Sequence, residues 1–123
     1  MKVLIVKGTT FFDVYDLCEA LDGLGVECVA ARWNEIEGPP NRYDLAVLFG
    51  LSHNRDVADM YASAVRAAIG ERTRLLIVSQ WGRKDMAEPM KEKYGAEYQV
   101  RGQPTPNLLA VVLDMLEDAK TAP

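Results

Sequence analysis

The sequence is poor in the residues that most often announce chemistry. Its 123 residues hold one histidine and two cysteines, and 8% are aromatic. His53 follows Ser52 in sequence, but adjacent side chains seldom face each other, and the pair is not read as part of a Ser-His-Asp triad. Cys18 and Cys28 stand apart, one expected on a helix and one on a strand, and neither belongs to a metal-ligand pair. They read as buried free thiols of a reducing compartment. No apolar run approaches the ~20 residues that cross a bilayer. The amino terminus enters strand register directly after Lys2, without the charged and apolar regions of a leader. The formal net charge of −4 argues against bulk attraction to nucleic acid. GxxxxGK[ST] and GxGxxG are both missing, so Gly8-Thr9-Thr10 is not a P-loop. With no repeat, low-complexity stretch or long linker, residues 1–123 read as one cytoplasmic domain.

What the sequence does contain is three short apolar runs, each ending in a polar loop. They are Val3-Leu4-Ile5-Val6, Leu45-Ala46-Val47-Leu48-Phe49 and Leu75-Leu76-Ile77-Val78. Continuous apolar runs of this length suit strands covered on both faces, as in a parallel sheet. Glu27–Ala31 and Tyr98–Arg101 are less apolar and read as edge strands. Between the strands, apolar residues recur at helical spacing. Val14, Leu17, Leu21 and Leu24 mark a first helix, and Val57, Met60, Tyr61, Ala64, Val65 and Ala68 a second. Met86, Met90 and Tyr94 mark another, weakened near Pro89. Leu108, Leu109, Val112, Met115 and Leu116 mark the last. A short helical turn is expected to hold Trp33 and Ile36. The alternation βαβαβαβαβα predicts a three-layer α/β/α domain with a five-stranded parallel sheet in the flavodoxin-like order 2-1-3-4-5.

On this pattern the chain resembles the receiver domains of two-component response regulators. The local matches are Arg42-Tyr43-Asp44-Leu45-Ala46-Val47-Leu48 and the stretch from Tyr94-Gly95-Ala96 to Leu108-Leu109-Ala110-Val111-Val112. The resemblance implies an acidic pair after the first strand, but Lys7 and Gly8 stand there. It implies a phosphoacceptor aspartate at the end of the third strand, but that position is Phe49. Ser79 matches the family's hydroxyl. Arg101 matches its lysine only if a one-residue gap is allowed. Magnesium needs hard oxygen ligands and an aspartyl nucleophile needs a carboxylate, so receiver phosphotransfer is not expected, no metal or cofactor is implied, and no catalytic residue is assigned.

Two functions remain open. The first is a non-phosphorylated, receiver-like signalling module that acts by protein contact. Its partner or homodimer surface would be the face of the fourth helix, fifth strand and fifth helix that the resemblance implies, with Met90, Tyr94, Tyr98, Val100 and Arg101 as contacts. The second is a binding domain for a phosphorylated metabolite or nucleotide. In open parallel sheets ligands gather at the carboxyl ends of the strands. There the loops carry Lys7, Gly8, Thr9, Thr10, Ser52, Arg55, Ser79 and Arg83, with Asn54 and Lys84 beside them, and few carboxylates. Trp81 lies in the same loops, either as a stacking or anchoring side chain or as cover for the core.

Overall fold

The computed structural model describes residues 1–8, 14–49, 54–79, 84–100 and 108–121. Five strands run in the order β2-β1-β3-β4-β5, and every neighbouring pair is parallel. The strands are β1 (Lys2–Lys7), β2 (Glu27–Arg32), β3 (Leu45–Phe49), β4 (Arg74–Ser79) and β5 (Ala96–Val100). The helices are α1 (Val14–Gly23), α2 (Arg55–Ile69), α3 (Lys84–Tyr94) and α4 (Leu108–Thr121). The expected order and the central placing of the three apolar runs both hold. Pro89 lies inside α3 without dividing it.

The apolar runs are continuous because successive side chains feed two different cores. Side chains alternate across a strand. Leu4, Val6, Ala46, Leu48, Leu75 and Ile77 point to one face, where Ala58, Ala62, Val65 and Ile69 of α2 and Met90 and Tyr94 of α3 cover them. Val3, Ile5, Leu45, Val47, Phe49, Leu76 and Val78 point to the other, beneath Leu17 and Leu21 of α1 and Val112, Met115 and Leu116 of α4. A strand with one wet face would show alternation instead.

Two boundaries differ from expectation for the same reason. β2 continues to Arg32, because register with β1 extends to Lys7↔Arg32. β5 starts at Ala96, because register with β4 begins at Leu75↔Ala96, and its side chain shares the core face with Tyr98. The larger correction concerns the β2–β3 crossover. No helix forms there; Trp33 and Asn34 make only a turn. The crossover covers the sheet with side chains instead. Trp33 and Ile36 pack on the α2 side of the core, and Trp33 stacks on Tyr61 of α2 with ring centroids 4.5 Å apart. Pro39 and Pro40 close to the turn leave little length for a helix.

The amino ends of the strands are tied by a knot of hydrogen bonds around the end of α2. Arg66 Nε and Nη2 donate to the Tyr94 carbonyl at 2.9 and 2.6 Å. Its Nη1 donates to the carbonyls of Gly70 and Thr73 at 2.9 and 2.6 Å. One guanidinium thus caps the ends of α2 and α3, where a cation also suits the helix dipoles. Burial lowers its pKa, against a smaller opposing effect of Glu71. The buried Thr73 hydroxyl bridges to the carbonyls of Tyr43 and Ile69 at 3.1 and 2.9 Å. Gly70 closes α2 at φ 88°, and a Cβ there would strike Asn41, whose own N–H donates to the Ile69 carbonyl at 2.7 Å. Arg66→Met is expected to lower stability by about 2–4 kcal/mol, because several half-buried carbonyls lose a charged donor. Arg66→Lys recovers only part, since an ammonium cannot reproduce the planar fork that reaches these carbonyls together. Urea denaturation of the two variants checks this.

Candidate functional site

At the carboxyl edge, strand register fixes which side chains are neighbours. Lys7 ends β1 and pairs with Phe49 at the end of β3 on one side. It pairs with Arg32 at the end of β2 on the other. Strand parity puts Lys7, Phe49 and Arg32 on the same face as Val3 and Ile5, the side covered by α1 and α4. Phe49 is 5% exposed and belongs to that core. Ladder hydrogen bonds reach to these strand ends: Gly8 N–H donates to the Phe49 carbonyl at 2.7 Å, and Trp33 N–H to the Lys7 carbonyl at 3.1 Å.

The expected anion-binding residues are only partly brought together. Lys7 and Gly8 sit at this edge beside Phe49. Arg55 is the exposed first residue of α2, and Ser79 is the last residue of β4. Thr9, Thr10, Ser52, Arg83 and Arg101 lie outside the described residues, as do His53 and Trp81. Asn54 caps α2, its Oδ1 accepting from the N–H groups of Asp56 and Val57 at 3.0 and 3.2 Å. Arg32 is the cation that sequence reasoning misses. A strand end drawn one residue early hides it, and the alternation of Cys28, Ala30 and Arg32 on one face is the available signal. Among the described residues no group of three His, Cys, Asp or Glu side chains is placed to hold a metal.

The second candidate region, α3 with β5 and α4, is also changed by burial. Met90, Tyr94 and Tyr98 are 3%, 8% and 9% exposed and belong to the core between α3 and the sheet. They support that face from beneath and do not form its outer surface. For Tyr94 the reason is a specific anchor. Its hydroxyl donates to Asp59 Oδ1 of α2 at 2.5 Å, and Lys93 Nζ meets the same carboxylate at 3.0 Å. The Tyr94 hydroxyl and then Lys93 pull the Asp59 pKa below its ordinary value. Burial and the bond to Asp59 push the Tyr94 phenol up. The Tyr98 hydroxyl, by contrast, is buried and finds no hydrogen-bond partner among the described residues.

A cavity of about 620 Å³ opens at the opposite end of the sheet, lined by Tyr43, Arg66, Thr73, Arg74 and Tyr94 among others. It lies at the amino ends of the strands, away from the edge where open parallel sheets bind ligands. The polar groups of Arg66 and Thr73 are already committed to backbone carbonyls. The cavity is therefore the mouth of the amino-end knot, and the carboxyl edge is the better candidate site.

No protein-family model matches the sequence, and a search of curated proteins finds no match. Solved structures do match in fold. A response regulator from Burkholderia pseudomallei, solved with a phosphorylated aspartic acid, calcium ion and citrate, is 15% identical, with a TM-score of 0.69 over 98% of this chain and 69% of that chain. A response regulator from Thermotoga maritima is 14% identical, with a TM-score of 0.65 over 99% of both chains. The pilus assembly protein CpaE from Caulobacter crescentus is 11% identical, with a TM-score of 0.65 over 92% of this chain and 89% of that chain. The fold is that of a receiver-like domain with flavodoxin-like topology.

Two outcomes are expected from the α2–α3–β5 region. Asp59→Asn lowers stability at neutral pH. Because the folded carboxyl titrates below its unfolded value, the contribution of Asp59 is present above about pH 4 and is lost as pH falls through the lower folded value. The gap between wild type and Asp59→Asn in denaturant midpoint should therefore close on acidification. Tyr98→Phe removes a buried hydroxyl that finds no partner among the described residues. It should be neutral or stabilising by up to about 1 kcal/mol in thermal unfolding.

Proposed function

We propose that this chain is a receiver-like signalling module that works by protein contact and takes no phosphate by the receivers' route. The observation that carries the reading is Phe49. It ends β3, pairs in register with Lys7 and is closed into the α1/α4 core. A phenyl ring offers no acceptor oxygen. Lys7, where the resemblance implies an acidic pair, adds a cation that disfavours magnesium. What remains for such a domain is contact. The outer surface of α3, β5 and α4 is the face we assign to a partner or to a second copy, and β5 is a terminal strand of the sheet among the described residues. No helix among the described residues is long and apolar enough to cross a membrane. A cytoplasmic module fits this reading.

Incubation with acetyl phosphate and magnesium, followed by mass spectrometry of the intact chain, should show no added phosphate. A stoichiometric phosphorylated product overturns the reading. Phe49→Asp should not rescue phosphorylation and should cost about 3 kcal/mol or more of stability, since it places a carboxylate among apolar side chains.

The in-register cations Lys7 and Arg32 favour a second reading, a phosphorylated metabolite or nucleotide held at the carboxyl edge. The start of α2 at Arg55 adds a helix amino terminus to that edge. A thermal-shift series with nucleotides and phosphosugars separates the two. Stabilisation by one of them that Lys7→Ala or Arg55→Ala abolishes would favour ligand binding, and no shift with any anion leaves the contact reading in place.

A further inference from the structure

The structure assigns Cys18 and Cys28 to a reversible intramolecular disulfide site that staples α1 to the edge strand β2. Their separation in sequence suggests two buried and unrelated thiols. In the fold they are half-buried, reduced and adjacent: Sγ lies 2.8 Å from Sγ, with one thiol donating to the other. That is within about 0.8 Å of bonding distance.

The proximity is built into the fold. On α1, Leu17 and Leu21 are buried on either side of Cys18 and hold that helix face on the sheet. On β2, Cys28 pairs in register with Val3 of the central strand β1. The connection between them is tight: the N–H groups of Leu24 and Val26 both donate to the Leu21 carbonyl, at 3.0 and 2.9 Å, and Gly25 N–H donates to the Asp22 carbonyl at 3.0 Å. Gly25 takes a positive φ of 78° to make this turn. Closing the bond asks the two sulfurs to approach by about 0.8 Å. A thiolate metal centre does not compete, because no third ligand stands nearby among the described residues.

The chemistry needs an external two-electron oxidant, a hydroperoxide. The Cys28 thiol is pushed up, first by burial and then by its bond to Cys18, and keeps its proton through the neutral range. With Cys18 as the attacking thiol, its sulfur attacks the peroxide, the O–O bond breaks, and the products are a Cys18 sulfenic acid and one water; the exchanged roles lead to the same disulfide. Cys28 sulfur then attacks the sulfenic sulfur, the S–O bond breaks, and the hydroxide leaves with the Cys28 proton as a second water. Two thiols and one hydrogen peroxide give one disulfide and two waters.

The full chain, fully reduced and freed of reductant, is treated with hydrogen peroxide and analysed by maleimide labelling and intact mass. The expected result is loss of both labels and of the mass of two hydrogens, without formation of a covalent dimer. The melting temperature should rise by roughly 10 °C and return on addition of dithiothreitol. Cys18→Ser and Cys28→Ser, treated alike, should show no such rise. Two titratable thiols remaining in the oxidant-treated folded protein would overturn the assignment. So would a disulfide found only between chains, or a rise in melting temperature of the single-cysteine variants equal to that of wild type.

Discussion

Closure of both faces of the central strands is the constraint on which the rest of this structure depends. β1, β3 and β4 put fully buried side chains on each side, so each face must be covered along its whole length. Burial of these side chains, at about 25 cal/mol per Å² of apolar surface, is the main favourable contribution the chain can make to folding. Two helices cover the α1/α4 side. On the other side α2 and α3 suffice only because Trp33 and Ile36 fill the flank beside β2. The missing crossover helix is thus replaced by two large side chains, one of them stacked on Tyr61.

The same constraint divides the molecule into two ends with different duties. Parallel strands begin together and end together, so the helices all return to the amino ends. Their carbonyl groups crowd there, and Arg66 and Thr73 satisfy them within a few ångströms, while Asn41 accepts from the Arg72 N–H. That end is knotted and committed. The carboxyl end carries the outgoing loops, and its strand-terminal side chains take no part in the knot. Lys7, Arg32 and Phe49 can vary there without loosening it.

Much of this is legible in the sequence because apolar runs report burial on two faces directly. The sheet order follows from which runs are apolar throughout, and the edge placing of β2 and β5 from their mixed character. The crossover is not legible in that way. Trp33 and Ile36 have helical spacing, and the one local sign against a helix is the short length before Pro39 and Pro40. The pairing of Cys18 with Cys28 is also hidden, since it depends on the register of β2 with β1 and on how α1 lies over both. Tyr94 and Tyr98 show the limit from the other direction. Their pattern marks apolar positions, but only tertiary packing decides whether such positions face a core or a partner. Burial decides it for the core.

Phe49 shows how the end of a central strand in a receiver-like fold can be given over to the core. A carboxylate at the end of a central strand is a costly residue, since it must remain solvated or bound to a cation while its neighbours are dry. Functional sites often carry such a cost in stability. A phenyl ring there reverses the sign of the contribution: the ring joins Val78 and Val47 in the α1/α4 core. Among the described residues no acidic cluster stands at this strand end, and the register neighbour of Lys7 on β2 is another cation, Arg32. The two features reinforce one another. An apolar side chain at this strand end offers no oxygen ligand, and Lys7, with Arg32 as its register neighbour, places positive charge where the resemblance implies an acidic pair, on a sheet of the same order.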